Sequence, residues 1–73
     1  MSQTQTLEII FLVEEDPEGG YMARAIGESI FSQGETLAEI REMVKDAVHC
    51  HFEENERPQL IRLHIVRDEV IAS

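Results

Sequence analysis

Three consecutive residues, His49, Cys50 and His51, are the strongest candidates for chemistry in this sequence. Imidazole nitrogens and cysteine thiolates are common zinc ligands, and a thiolate activated by a neighbouring base is a nucleophile. The spacing argues against both roles, because residues one and two positions apart on a helix point in different directions. No CxxC or HxxxH pair completes a site. We therefore predict neither a metal site nor a catalytic nucleophile, and we interpret Cys50 as a half-buried small apolar residue.

The remaining residue types that carry chemistry form no recognisable motif. The four glycines match neither a GxGxxG nor a Walker pattern, so they indicate turns rather than a phosphate-binding loop. Tyr21, Phe31 and Phe52 lack the basic neighbours of a nucleic-acid stacking platform. Among 15 acidic side chains, any pair of carboxylates is easily chosen by chance. We predict no catalytic residues, no cofactor and no direct nucleic-acid binding, so an enzymatic alternative depends on Cys50 and the histidines.

The first third of the chain has the pattern of a β-hairpin. Apolar residues recur at every second position, which predicts a strand through Leu7, Ile9, Phe11 and Val13. Residues 15–20 contain a proline followed by two glycines, a composition typical of a turn between antiparallel strands. The second strand is predicted over residues 21–26. After a bend at 27–29, a short third strand is predicted over 30–33, ending at Gly34.

An amphipathic helix is predicted to follow from Thr36. Thr36 and Glu39 have capping-box spacing: the Thr36 hydroxyl accepts from the Glu39 amide, while the Glu39 carboxylate reaches back to the Thr36 amide. The pattern predicts a helix of about 18 residues, ending near Asn55, with Pro58 preventing its resumption. Its buried stripe is predicted to contain Leu37, Ile40, Met43, Val44, Ala47, Val48 and Phe52.

A fourth strand completes the predicted fold. Ile61, Leu63 and Ile65 alternate with Arg62 and His64, and residues 70–71 are a possible extension. The order is β-β-β-α-β, so we predict one α+β domain over residues 1–73, with residues 1–5 frayed. Three antiparallel strands, a helix across one face and a last strand parallel to the first satisfy the crossover rule.

One helix covers only one face of such a sheet, and the first strand is apolar on both faces. A contiguous exposed apolar patch marks an interaction site, so we expect another chain to cover the second face. The alternative is that these are ordinary scattered surface residues. The candidate residues for an interface with a partner or a second subunit are Ile10, Leu12, Met22, Arg24 and Val66.

Composition favours a small acidic protein that associates with another chain. A 73-residue domain buries only about 60% of the surface exposed by its unfolded chain, so its core alone provides little stability. Cys50, the only cysteine, excludes a disulfide within the chain, so we expect a homo-oligomer, with a dimer as the simplest case. The sequence shows no signal-peptide pattern and no apolar run long enough to span a membrane. We expect a soluble, cytoplasmic protein.

The formal net charge of −9 excludes most nucleic-acid binders and favours a basic partner. The acidic residues are concentrated in the N-terminal half, where the first 35 residues contain seven acidic side chains and only Arg24 as a base. The chain from Glu56 onward is balanced. An acidic surface also keeps small proteins soluble, so steering of a partner and plain solubility are both open interpretations.

Two ordered segments resemble the HicB antitoxin family. Residues 19–25, Gly-Gly-Tyr-Met-Ala-Arg-Ala, resemble the family's second strand, and residues 32–39, Ser-Gln-Gly-Glu-Thr-Leu-Ala-Glu, resemble its entry into the helix. The resemblance spans about residues 7–66. It implies a partial ribonuclease-H-like fold and an antitoxin-like module that binds and neutralises a small basic HicA-type toxin, an mRNA-cleaving protein, often as a homodimer.

Parts of the family pattern are missing from this sequence. Residues 26–31 replace the family's usual Pro-rich stretch, and no C-terminal DNA-binding segment follows the fourth strand, so operator binding is not expected. No carboxylate set resembles the metal site of ribonuclease H, so nuclease activity is not expected either. The alternative function is a standalone homo-oligomeric domain that uses the same surface for self-assembly and has no toxin partner.

Overall fold

A computed structural model describes residues 7–73, in which a helix packs on one face of a four-stranded sheet. The predicted α+β class and β-β-β-α-β order are confirmed. The predicted fraying of residues 1–5 falls outside the described residues, and the domain limits of 1–73 stay a prediction. The elements are β1 (Glu8–Glu15), β2 (Tyr21–Ala25), β3 (Phe31–Gly34), α1 (Leu37–His51), a 3₁₀ turn (Glu54–Glu56) and β4 (Leu60–Val66).

The strands lie in the order β3-β2-β1-β4. β1 is antiparallel to β2, β2 is antiparallel to β3, and β4 is parallel to β1, as predicted. A parallel pair needs a crossover connection, and the segment containing α1 supplies it. β1 is therefore a central strand, which explains its apolar residues, although the strand begins at Glu8 and leaves Leu7 63% exposed.

The β1–β2 turn depends on its two glycines. The Asp16 amide donates to the Gly20 carbonyl and the Gly19 amide to the Asp16 carbonyl, both at 2.9 Å. Gly19 and Gly20 have positive φ angles of 108° and 81°, which side chains disfavour. At Gly20 a Cβ would lie 2.6 Å from the Gly34 carbonyl oxygen. The turn is therefore pressed against the end of β3.

The start of α1 confirms half of the predicted capping box. The Thr36 hydroxyl accepts a hydrogen bond from the Glu39 amide at 3.1 Å. The Glu39 carboxylate accepts from the Glu35 amide at 2.7 Å rather than from the Thr36 amide, so that part of the prediction is wrong by one residue. Both bonds satisfy backbone donors near the first turn of the helix.

The helix is shorter than predicted. It contains 15 residues and ends at His51, whereas the sequence pattern continued to about Asn55. Phe52 already has an extended backbone, although its N–H still donates to the Val48 carbonyl at 3.1 Å. Leaving the helix here allows the Phe52 side chain to pack against the core, and residues 54–56 turn the chain toward β4.

The core lies between α1 and one face of the sheet. Phe11 and Val13 on β1 have no exposed surface, and neither have Ile40 and Val48 on α1. Small residues on β2 let the helix approach, and Ala23 is fully buried. Met43 was predicted in the buried stripe but is 43% exposed, because it lies beyond the edge of the helix face that contacts the sheet.

The last strand ends at Val66, so the predicted extension through Val70 and Ile71 is wrong. Residues 67–73 have no regular structure, and both aliphatic side chains are exposed. Within residues 7–73, no helix combines the length and apolar character required to cross a membrane.

Candidate protein-interaction surface

The face of the sheet opposite α1 is not covered by any element of residues 7–73. Side chains alternate along a strand, so the burial of Phe11 and Val13 beneath α1 directs Leu12 to the other side. The strand register extends this assignment to the neighbouring strands. We name this surface the open face, and its residues are Glu8, Ile10, Leu12, Glu14, Met22, Arg24, Phe31, Gln33, Leu60, Arg62, His64 and Val66.

All five residues predicted for an interface lie on the open face. Leu12 is paired with Arg24 across the β1–β2 ladder, while Met22 and Val66 flank Glu14 from opposite sides. Their exposure differs: Arg24 is exposed, whereas the four apolar members are half-buried by their neighbours on the sheet. The structure thus brings the five residues together on one surface, and their role in binding stays a prediction.

Charged groups surround the apolar centre of the open face. Arg62, the register partner of Ile10, forms an ion pair with Glu8, whose carboxylate oxygen lies 2.5 Å from the Arg62 Nε. His64 lies on the other side of Leu12 from Arg24. The basic groups therefore lie around the middle of the open face and at the end of it where β1 begins, near Glu8.

The hairpin end of the open face is acidic. A depression of about 440 Å³ has Met22 and Val66 among its lining residues, beside several carboxylates. A lining of apolar side chains and carboxylates fits a lysine or arginine side chain, because the aliphatic stem packs on apolar groups while the charged tip meets the carboxylates. The remaining lining residues are Glu14, Glu15, Asp16, Pro17 and Asp68.

Two exposed apolar residues of the open face were missed by sequence reasoning. Phe31 on β3 is 58% exposed and pairs with Arg24, and Leu60 on β4 is 62% exposed and pairs with Glu8. Alternation along the strands could have identified them. Phe31 precedes buried Ser32, and Leu60 precedes half-buried Ile61, so each of the two lies on the face opposite its neighbour. They extend the apolar part of the face to both edge strands.

A second acidic depression lies on the helix side of the hairpin. Its volume is about 780 Å³, and its lining residues include Tyr21, Ala38 and Met43. Carboxylates from the turn, the β3–α1 connection and α1 surround it, with no histidine or basic group among the lining residues. The acidic residues are Asp16, Glu35, Glu39 and Glu42.

His49, Cys50 and His51 form the C-terminal end of α1, and all three are exposed. Cys50 is exposed, so its interpretation as a half-buried apolar residue is wrong. His51 Nε2 lies 3.3 Å from a carboxylate oxygen of Glu28, and its ring contacts the edge of Phe52. Among residues 7–73, no group of three or more histidine, cysteine or acidic side chains is arranged to hold a metal ion.

Comparison with known proteins identifies similar chains of uncharacterised function. A UPF0150 protein of Archaeoglobus fulgidus is 65% identical over 52 residues, which cover 71% of this chain and 77% of the relative. A UPF0150 protein of Thermotoga maritima is 45% identical over 65 residues, which cover 89% of this chain and 91% of the relative. No family model matches the chain, and no solved structure matches it significantly.

Proposed function

We propose that this chain, which belongs to the UPF0150 protein family, is an antitoxin-like module whose open face binds and neutralises a small basic toxin. The HicB resemblance of residues 19–25 and 32–39 supplies the class of partner, a HicA-type mRNA-cleaving protein. The observation that carries the proposal is the position of an acidic depression directly beside the apolar centre of the uncovered sheet face.

The apolar centre provides the contact area. Ile10 and Leu12 lie on the central strand, and Phe31 and Leu60 extend the patch to both sides. Interfaces have an apolar core surrounded by polar groups, with aromatic and arginine residues enriched among the contacts that matter most. Phe31 and Arg24, which are register neighbours, match that composition.

The acidic hairpin end of the open face provides the preference for a basic partner. Glu14 lies between Met22 and Val66, and Asp68 lines the same depression. With a net charge of −9 the whole molecule attracts a basic protein over a longer range. A toxin that cleaves mRNA needs basic groups to bind the RNA phosphates, so carboxylates that occupy those groups block substrate binding.

The test first asks whether a neighbouring reading frame encodes a small basic protein, and it then mixes that purified protein with the purified chain. We expect a complex by isothermal titration calorimetry and loss of RNA cleavage by the basic protein on addition of the chain. Leu12→Asp should abolish both effects, because it places a charge at the apolar centre. The matched control is Met43→Asp, the same type of change on the opposite side of the molecule, and it should bind like the wild type.

Two results would overturn the proposal. One is a basic neighbour that neither binds the chain nor loses activity in its presence. The other is equal binding by Leu12→Asp and the wild type, with circular dichroism showing that both are folded. A stable self-associated chain without any basic partner would instead favour the standalone homo-oligomer.

A further inference from the structure

β4 is an edge strand whose one fully charged residue, Arg62, is its main protection against pairing with another chain. It is seven residues long, and within Leu60–Val66 there is no proline, glycine, lysine or acidic residue. Natural edge strands are shortened, bulged or charged to prevent association with another chain. The opposite edge, β3, has only four residues. Two aliphatic residues of β4 are exposed, Leu60 at 62% and Ile65 at 47%.

The helix also leaves one side of β4 accessible. α1 lies closest to β3 and β2, and between α1 and β4 there is a groove of about 410 Å³. The groove has an aliphatic floor from β4, with basic side chains on the helix side. Its lining residues are Arg41, Val44, Lys45, Ile61, Leu63 and Ile65.

The backbone groups of three β4 residues point away from β1. The Leu60 amide donates to the Leu7 carbonyl at 3.0 Å, so Leu60 directs its hydrogen-bonding groups toward β1. In a parallel ladder every second residue does so. Residues 62, 64 and 66 therefore share this orientation, and Ile61, Leu63 and Ile65 present their N–H and C=O groups to the free edge.

The sequence of β4 is symmetric by residue class about Leu63. Read in either direction, Leu60–Val66 has the class order aliphatic, aliphatic, basic, aliphatic, basic, aliphatic, aliphatic. An antiparallel pairing centred on Leu63 brings Ile61 opposite Ile65 of a second copy and Leu63 opposite its own counterpart. In this register every outward backbone group finds a partner, whereas a shift by one residue opposes outward groups with inward ones.

We propose that two copies of this chain pair antiparallel through their β4 strands, about a two-fold axis at Leu63, to form a continuous eight-stranded sheet. A second copy fits this edge because of its charge as well. The chain carries −9 overall, but β4 has no acidic residue and its Arg62 is neutralised by Glu8 on β1. Two acidic molecules can therefore pair through β4 without placing carboxylates of the two strands opposite each other.

This pairing is independent of the proposed toxin partner, but it changes the number and arrangement of open faces available to that partner. The two open faces would lie side by side on one sheet, with their acidic depressions at opposite ends because the paired strands are antiparallel. The dimer would therefore present two equivalent binding surfaces, as isologous association requires.

The first experiment is analytical ultracentrifugation of the full chain at micromolar concentrations. We expect a reversible dimer. Ile65→Lys should be monomeric over the same range because it adds a gatekeeper charge to the edge, and Met43→Lys, the matched control on α1, should dimerise like the wild type. A monomeric wild-type chain, or an undiminished dimer of folded Ile65→Lys, would refute the proposal.

Cross-linking tests the register even if the lysine variant fails to fold. In a Cys50→Ser background, Leu63→Cys should form a disulfide between copies under mild oxidation, because the two-fold axis places residue 63 opposite itself within disulfide reach. Ile61→Cys should not cross-link, but the double substitution Ile61→Cys with Ile65→Cys should. Equal cross-linking of the two single variants would contradict the register, and a dimer blocked by Leu12→Asp alone would place self-association on the open face.

Discussion

Phe11 and Leu12 are neighbours on β1 whose side chains lie on opposite faces of the sheet: Phe11 is completely buried beneath α1, and Leu12 is half-buried on the open face. The two faces of the central strand β1 therefore have different roles. One face holds the domain together, and the other is available to a second molecule. Substitutions at these two positions should therefore have different consequences.

Phe11→Ala should lower the free energy of unfolding by about 3–5 kcal/mol, because it leaves a cavity in a closed core. A core of this size rarely supplies more than roughly 3–5 kcal/mol, so the variant should be largely unfolded. Urea denaturation followed by circular dichroism measures the change. Leu12→Ala is the control and should cost less, because its site is open on one side, and equal losses at the two positions would argue against the assigned faces.

Gly20→Ala should destabilise the domain more than Gly19→Ala. Both substitutions place a side chain at positive φ, at a cost on the order of 1–3 kcal/mol. Only at Gly20 does the new Cβ also meet the Gly34 carbonyl, since nothing lies within 4 Å of a Cβ at Gly19. Thermal unfolding of the two variants compares the costs directly, and the reverse order would show that the turn is not pressed against β3.

Thr36→Ala should cost about 1 kcal/mol, the usual price of a lost N-cap side chain. The Glu39 amide loses its acceptor, while the bond from the Glu35 amide to the Glu39 carboxylate is unaffected directly. The measurement is the midpoint of urea unfolding. Ser29→Ala, a comparable change at an exposed position between β2 and β3, should have almost no effect, and an equally stable Thr36→Ala would mean that the cap contributes nothing.

Removing charge from the acidic depression should weaken binding of the basic partner. Glu14→Gln combined with Asp68→Asn changes two carboxylates that line this depression, and we expect mainly slower association that is less sensitive to salt. Stopped-flow measurements at several ionic strengths give the rates. Glu53→Gln combined with Glu54→Gln changes the net charge equally beyond the end of α1, so an identical effect would reveal general attraction rather than a local site.

The sequence was sufficient to predict the strands and the helix, because periods of two and of about 3.6 residues distinguish these elements locally. The parallel placement of β4 followed from the crossover rule. The end of the helix was not predictable in this way. The apolar period continues through Phe52, yet that side chain contacts the core from an extended backbone. Met43 shows the same limit, since periodicity alone does not set the width of the buried helix face.

The candidate surface was predictable in part. Alternation along β1 places Ile10 and Leu12 on one face, but only the register shows that Met22 and Val66 flank Glu14. The contribution of Asp68 depends on where the chain runs after β4. The exposure of Cys50 could not be inferred from its residue type, because a small apolar residue is tolerated on either face of a helix.

Mapping of the bound surface by nuclear magnetic resonance tests the central claim most directly. The uniformly ¹⁵N-labelled chain is titrated with the small basic protein encoded beside it, and amide shifts are assigned residue by residue. We expect perturbations concentrated at Ile10, Leu12, Met22, Arg24 and Val66, with little change around Met43. Perturbations confined to the helix side around Tyr21 and Met43, with the open face unchanged, would contradict it.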